Sequence, residues 1–214
     1  MTQSPLSSPE VVVERLRADI IAGRLRPESP LRQDELARKF GISHIPVREA
    51  FRRLEAEGLV SIRPRRGAIV AGLSAREIQE LNEMRVALEC CALRLAIPKI
   101  DECRLREASR ILDHIDRQPE HWASLNTDFH CKLYEAADRP RLLETIRALQ
   151  RNVERYLRTE VEVLGNLEAS QDEHRTMLHH VKCGDAEAAC ALLVDHIVEP
   201  NEVLVAHLQR SGLE

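Results

Sequence analysis

The segment PLRQDELARKFGISHIPVREAFRRLEAEGLVSIRPRRGAIV, residues 30–70, changes its hydrophobic period once, at Gly58. Before that glycine the apolar residues recur at helical spacing. Leu36, Ala37 and Phe40 mark a short helix over 33–40 stopped by Gly41, and a second helix over about 44–57 is capped by Ser43 and closed by Gly58. After Gly58 the pattern alternates through Leu59, Val60, Ser61 and Ile62, turns at Pro64-Arg65-Arg66-Gly67, and resumes at Ala68, Ile69 and Val70. Helix, tight turn, helix and a small β-hairpin with a basic tip is the order of a winged helix-turn-helix, whose second helix lies in the major groove of DNA.

Upstream, Val12, Leu16 and Ile20 predict a helix over about 9–22 ended by Gly23, followed by a turn containing Pro27 and Pro30. Downstream, no strand signal survives beyond Ser74. Pro98, Pro119, Pro140 and Gly184 punctuate about six helices, over 74–97, 101–117, 120–137, 140–162, 167–183 and 185–207. The prediction is a mainly α protein of two domains, a length of 214 residues being ample for both. Residues 1–72 form the winged helix-turn-helix, with the motif at about 33–57 and the wing at 59–71, and residues 73–214 form an all-helical bundle.

Charge divides along the same line. Residues 1–72 carry 13 Lys and Arg against 9 Asp and Glu, whereas the remainder carries 18 against 26, so the front of the chain is the part suited to a polyphosphate. Ser43, His44 and Arg48 stand at or just after the start of the second helix of the motif, where side chains and unpaired N–H groups can meet bases and phosphates. Arg48 suits guanine, because its planar fork matches the O6 and N7 acceptors. Arg65 and Arg66 concentrate charge at the wing tip, and Gly67 allows the backbone a close approach.

On the residues quoted above, the stretch over about 9–72 resembles the DNA-binding domain of the GntR family of bacterial regulators. That resemblance implies that Ser43, His44, Arg48 and the wing around Arg66-Gly67 contact double-stranded operator DNA. Two positions depart from the family pattern: His44 stands where Arg is frequent, and Asp34 where some members carry Arg.

In the helical part, Asn126 and His130 are one turn apart on one helix face. His174 precedes Gly184 by 10 residues and His196 follows it by 12, so an antiparallel hairpin there sets the two at nearly the same height. Bundles build metal sites from such convergence, and imidazole suits zinc, nickel, iron or copper, although an isolated histidine on a helix is more often a core or surface residue. Arg85 interrupts the apolar series Ile78, Leu81, Leu88, Ala92 and Leu95. It reads either as an arginine paired with a nearby carboxylate or as an anchor for the carboxylate of a ligand.

The helices over 74–207 resemble the FadR-type effector domain, called FCD, that many GntR regulators carry. The resemblance implies a divalent metal, zinc or nickel, held by Asn126, His130, His174 and His196, with Arg85 gripping a small organic-acid effector. Asn126 stands where Asp is usual. It further implies a homodimer on a pseudo-palindromic operator, acting as a repressor. A metal-dependent enzyme on a helical bundle is the competing class; no Glu lies beside the histidines in an H-E-x-x-H arrangement and no Gly-rich phosphate loop is present. No run approaches the roughly 20 apolar residues of a membrane span, and no basic stretch leads into an apolar one at the start, so a cytoplasmic protein without membrane partners is expected. The six cysteines, with no C-x-x-C pair, read as reduced core residues.

Overall fold

A computed structural model describes residues 9–64, 67–164 and 167–213, and the chain divides into one unit that ends at Leu73 and another that begins at Ser74. In the first unit, Val12, Leu16 and Ile20 repeat along one face of α1 (Pro9–Ile21) and are buried against Val47, Ala50, Phe51 and Leu54 of α3 (His44–Ala56). Burial of a side chain such as Phe51 or Leu54 contributes roughly 1.5–3 kcal/mol. Between them α2 (Gln33–Phe40) stops at Gly41, whose φ of 66° is left-handed and costs a residue without a Cβ little. The N–H of Ile42 returns to the carbonyl of Ala37 at 3.0 Å, which makes the turn into α3 sharp.

The wing has three strands where the sequence predicts two. β1 (Pro30–Leu31) pairs with β3 (Gly67–Val70), with Pro30 opposite Ile69, while β2 (Val60–Arg63) pairs antiparallel with the other edge of β3, Val60 opposite Val70 and Arg63 opposite Gly67. Pro30, read as part of a turn, opens an edge strand, where its missing N–H breaks no ladder bond. Arg65 and Arg66 lie outside the described residues.

The second unit is helical: α4 (Ala75–Ala96), α5 (Glu102–Arg117), α6 (Trp122–Tyr134), α7 (Pro140–Leu164), α8 (Leu167–Cys183) and α9 (Ala186–Arg210). Ser74, Asp101 and Asp185 cap α4, α5 and α9 with side-chain oxygens that accept first-turn N–H groups. The predicted helix over 120–137 is shorter, because single 3-10 turns at Pro119–His121 and Glu135–Ala137 flank α6. α4 runs antiparallel to α9: Arg94 pairs with Glu187 at 3.0 Å near one end, and the N–H of Ala75 meets the carbonyl of Leu213 at 3.0 Å near the other. Gly184 (φ 75°) folds α8 back onto α9.

Of the cysteines, Cys90, Cys131 and Cys190 are buried, but Cys91, Cys103 and Cys183 are exposed, which corrects the reading of all six as core. Those three fall on the solvent-facing side of α4, α5 and α8. No helix among the described residues is long and apolar enough to cross a membrane.

Candidate functional site

Two groups of polar residues bear on function. The first surrounds the start of α3. Ser43 occupies the N-cap position with extended backbone (φ −75°, ψ 171°), yet its side chain makes no cap hydrogen bond, in contrast to the sequence expectation. Instead Gln33 Nε2 donates to the carbonyl of His44 at 3.0 Å and ties α2 to the helix start. His44 is exposed, with Nδ1 3.2 Å from Asp34 Oδ1, so the two positions that depart from the usual pattern contact each other.

Arg48 and Arg52 are exposed one turn apart on α3 and have no ion-pair partner among the described residues. Their neighbours do: Arg53 reaches Glu10 at 2.8 Å, Arg17 reaches Glu57 at 2.6 Å and Arg63 reaches Glu28 at 3.1 Å. Sequence reasoning missed Arg52, because nothing in the pair Arg52-Arg53 tells which arginine the fold neutralises. Gly67 has φ 74°, and a Cβ built there meets nothing within 4 Å, so the wing backbone is open to an approaching surface.

The second group lies inside the helical unit. α6 supplies Asn126 and His130, α8 supplies His174 and α9 supplies His196; the ligating nitrogens of the three histidines lie within 4.8 Å of one another. His130 and His174 are fully buried. Each histidine has its Nδ1 near an oxygen: His196 Nδ1 is 2.6 Å from Glu173 Oε2, His174 Nδ1 is 2.9 Å from Gln171 Oε1, and His130 Nδ1 is 3.4 Å from the Tyr134 hydroxyl. The Gln171 amide is oriented by its own Nε2, which donates to Asp116 Oδ1 at 3.0 Å and so leaves Oε1 for the histidine. A carboxylate and an amide oxygen only accept, so His174 and His196 carry their protons on Nδ1 and turn the lone pairs of Nε2 inward.

Those two lone pairs face each other with Nε2 atoms 3.2 Å apart. With both lone pairs turned inward, two nitrogens at that distance repel unless a proton or a metal ion lies between them. Two imidazole nitrogens bound to one tetrahedral zinc at about 2.0–2.1 Å stand roughly 3.3 Å apart, so the spacing suits a shared ion. His130 Nε2 and Asn126 Oδ1 are buried without a hydrogen-bond partner, and such atoms are costly unless a further group satisfies them. The three histidines suit a divalent metal, and Asn126, one turn before His130 on α6, presents a further oxygen without a partner. Asp128, two residues before His130, lies elsewhere, lining a surface hollow with Lys132, Arg147 and Arg151.

Burial, and then the neighbouring histidines, push His130 and His174 well below the ordinary imidazole range of about 6.5. A histidine that is neutral when folded and free to protonate when unfolded stabilises the fold above its unfolded pKa and loses that contribution as pH falls. Metal-free protein is therefore expected to lose stability progressively on acidification below about pH 6.5, measured by urea unfolding across pH, and His130→Gln should flatten that dependence.

Arg85 is buried beside this cluster and lowers the basicity of His130. Its Nε donates to Glu89 Oε1 at 2.7 Å and Nη1 to Asn82 Oδ1 at 3.2 Å, so the carboxylate pair, one of the two readings of its sequence context, is present. Glu89, Tyr134, Gln171 and Glu173 were not singled out from sequence; Glu89 and Tyr134 each lie four residues beyond a residue that was, but Glu173 meets its histidine across a hairpin.

Comparison with known proteins decides the ancestry of this arrangement. Residues 9–70 match the gntR family of bacterial regulatory proteins, and residues 80–199 match the FCD domain. The chain belongs to the GntR family of bacterial regulators. It is 33% identical to the HTH-type transcriptional regulator BphR of Paraburkholderia xenovorans over 88% of this chain and 81% of that one. It is 29% identical to the HTH-type transcriptional repressor RspR of Escherichia coli over 87% of this chain and 84% of that one. Among solved structures, E. coli McbR/YncC shares the fold with a TM-score of 0.80, covering 96% of this chain and 99% of that one at 24% identity. The family is one of transcription regulators and not of enzymes, and its DNA-binding part is the unit that carries Arg48 and the wing.

Proposed function

We propose that this GntR-family protein is a homodimeric repressor whose hold on operator DNA is controlled by a small carboxylate effector bound at a divalent metal in the helical unit. The observation that carries the effector half is the convergence of three inward-facing imidazole edges and the unpartnered Asn126 oxygen. Asn126, His130, His174 and His196 would hold the ion, and imidazole donors suit zinc or nickel. Asn126 is neutral where a carboxylate is usual in the family, so the donor set leaves the ion's full charge unanswered. A bound ion supplies a Lewis-acidic seat for an anion, and a carboxylate effector is the group that would take it. Tyr134, Gln171 and Glu173 orient the imidazoles, and Arg85 stands beside the cluster paired with Glu89.

On the DNA side, Arg48 and Arg52 are the exposed cations of α3 that the fold does not neutralise, while Ser43 and His44 lie at its N-terminus with the wing residues Arg65, Arg66 and Gly67 for the backbone. A two-fold dimer would double the few bases that one winged unit reads. Operator fragments selected from a random duplex pool should be pseudo-palindromic. In mobility shifts at fixed salt, Arg48→Ala should lower specific affinity by about 1–3 kcal/mol, whereas Arg53→Ala, whose guanidinium already serves Glu10, should change it by less than about 0.5 kcal/mol. Equal losses for the two would mean that the paired and unpaired arginines do not differ in function and that the reading face is misplaced.

A further inference from the structure

Glu89 has no exposed surface, and each of its oxygens is engaged: Oε1 accepts from Arg85 Nε at 2.7 Å, and Oε2 accepts from the Tyr134 hydroxyl at 2.8 Å and from Gln150 Nε2 at 3.3 Å. Donors from α4, α6 and α7 thus hold one carboxylate in place. Burial and the adjacent Glu89 charge raise the Tyr134 phenol well above its ordinary range, so it remains a donor. We propose that Glu89 is the resident counter-anion of Arg85, and that it thereby restricts the effector to one carboxylate, placed at the metal, with no second, remote carboxylate seated on Arg85.

The inference deepens the metal reading above and rests on it. Charge bookkeeping leads there. The Arg85–Glu89 pair sums to zero, Asn126 with three neutral imidazoles brings none and Glu173 beside His196 is negative, so the positive charge left to attract a ligand comes from the ion. An incoming carboxylate could reach the Arg85 fork only by displacing Glu89, which would strand a buried charge among groups built to receive it. The same carboxylate also works through Tyr134. By accepting the phenolic hydrogen bond it leaves the oxygen lone pairs facing His130 Nδ1, 3.4 Å away, which favours the tautomer with Nε2 free for the ion. Glu89 is in this sense a positioning residue as well as a selector.

The test uses zinc-loaded full-length protein and two probes of matched length, succinate and its monomethyl ester, titrated calorimetrically at constant ionic strength. Wild type should bind them with affinities within about threefold of each other, because the second carboxylate meets no free cation. Glu89→Gln removes the carboxylate paired with Arg85 and should favour succinate by about tenfold or more, and Arg85→Gln combined with Glu89→Gln should return the ratio to that of wild type. A wild-type preference for succinate of about tenfold, an unchanged ratio in Glu89→Gln, or no binding of either probe overturns the proposal. Should the single variant fail to fold, the wild-type ratio and its match in the double variant decide the matter alone. Zinc is titrated first in every case. A protein that takes up no zinc overturns the metal reading itself, whereas one that takes up zinc and still prefers succinate overturns only the part assigned to Glu89.

Discussion

Zinc added to metal-free protein should raise the melting temperature of the helical unit by about 10 °C, and His174→Ala should abolish that rise. The size follows from linkage. An ion that binds only the folded state at a concentration about a thousandfold above its dissociation constant stabilises it by about 4 kcal/mol, and each kcal/mol moves the transition of a chain of this size by about 2–4 °C. The sensitivity to His174 follows from geometry, since its Nε2 stands 3.2 Å from that of His196 and its Nδ1 is fixed by Gln171, which places both nitrogens against the same ion. Asn126→Asp should enlarge the shift, because a charged oxygen replaces a neutral one at an atom that lacks a protein partner. Calorimetry with and without chelator checks all three. An equal rise in wild type and His174→Ala would show that zinc binds elsewhere and that the buried histidines are packing alone.

The helices of this protein were legible in the sequence because their ends carry residues with a single physical meaning. Gly41 and Gly184 adopt left-handed backbone at the turns that end α2 and α8, and Pro140 opens a helix where its missing N–H is not needed. What escaped was whatever depends on a partner distant in sequence. Two residues cannot display a period, so β1 at Pro30–Leu31 is visible only through its pairing with Ile69 and Ala68. The histidine cluster was within reach because the hairpin around Gly184 turns a spacing along the chain into a height along the bundle. Its supports were not: Gln171 is oriented by Asp116 of α5, and Glu173 reaches His196 on the next helix. Arg48 and Arg52 illustrate the same limit on the surface, where function attaches to the arginines that the fold leaves without a carboxylate.

Removal of the Arg85 side chain should strongly destabilise the helical unit, and its cost separates the two readings of that residue. Were Arg85 held in reserve for a ligand, Arg85→Ala would cost binding but little stability. Its pair with Glu89 predicts otherwise. Glu89 is completely buried, and its remaining donors, Tyr134 and Gln150, are neutral, so loss of the guanidinium leaves a carboxylate whose charge nothing answers. Breaking one side of a buried pair costs about 3–5 kcal/mol, whereas replacing both sides with apolar groups of similar volume is often neutral. Arg85→Ala should therefore lower unfolding stability in urea by about that amount, while Arg85→Met together with Glu89→Met should recover most of it. The recovery matters more than the loss, because a cavity left by any truncation also destabilises, but only a charge left unpaired is relieved by removing its partner. If the double variant is as unstable as the single one, the pair is not what holds α4 against α6 and α7 at this level, and the resident carboxylate at Glu89 loses its structural warrant.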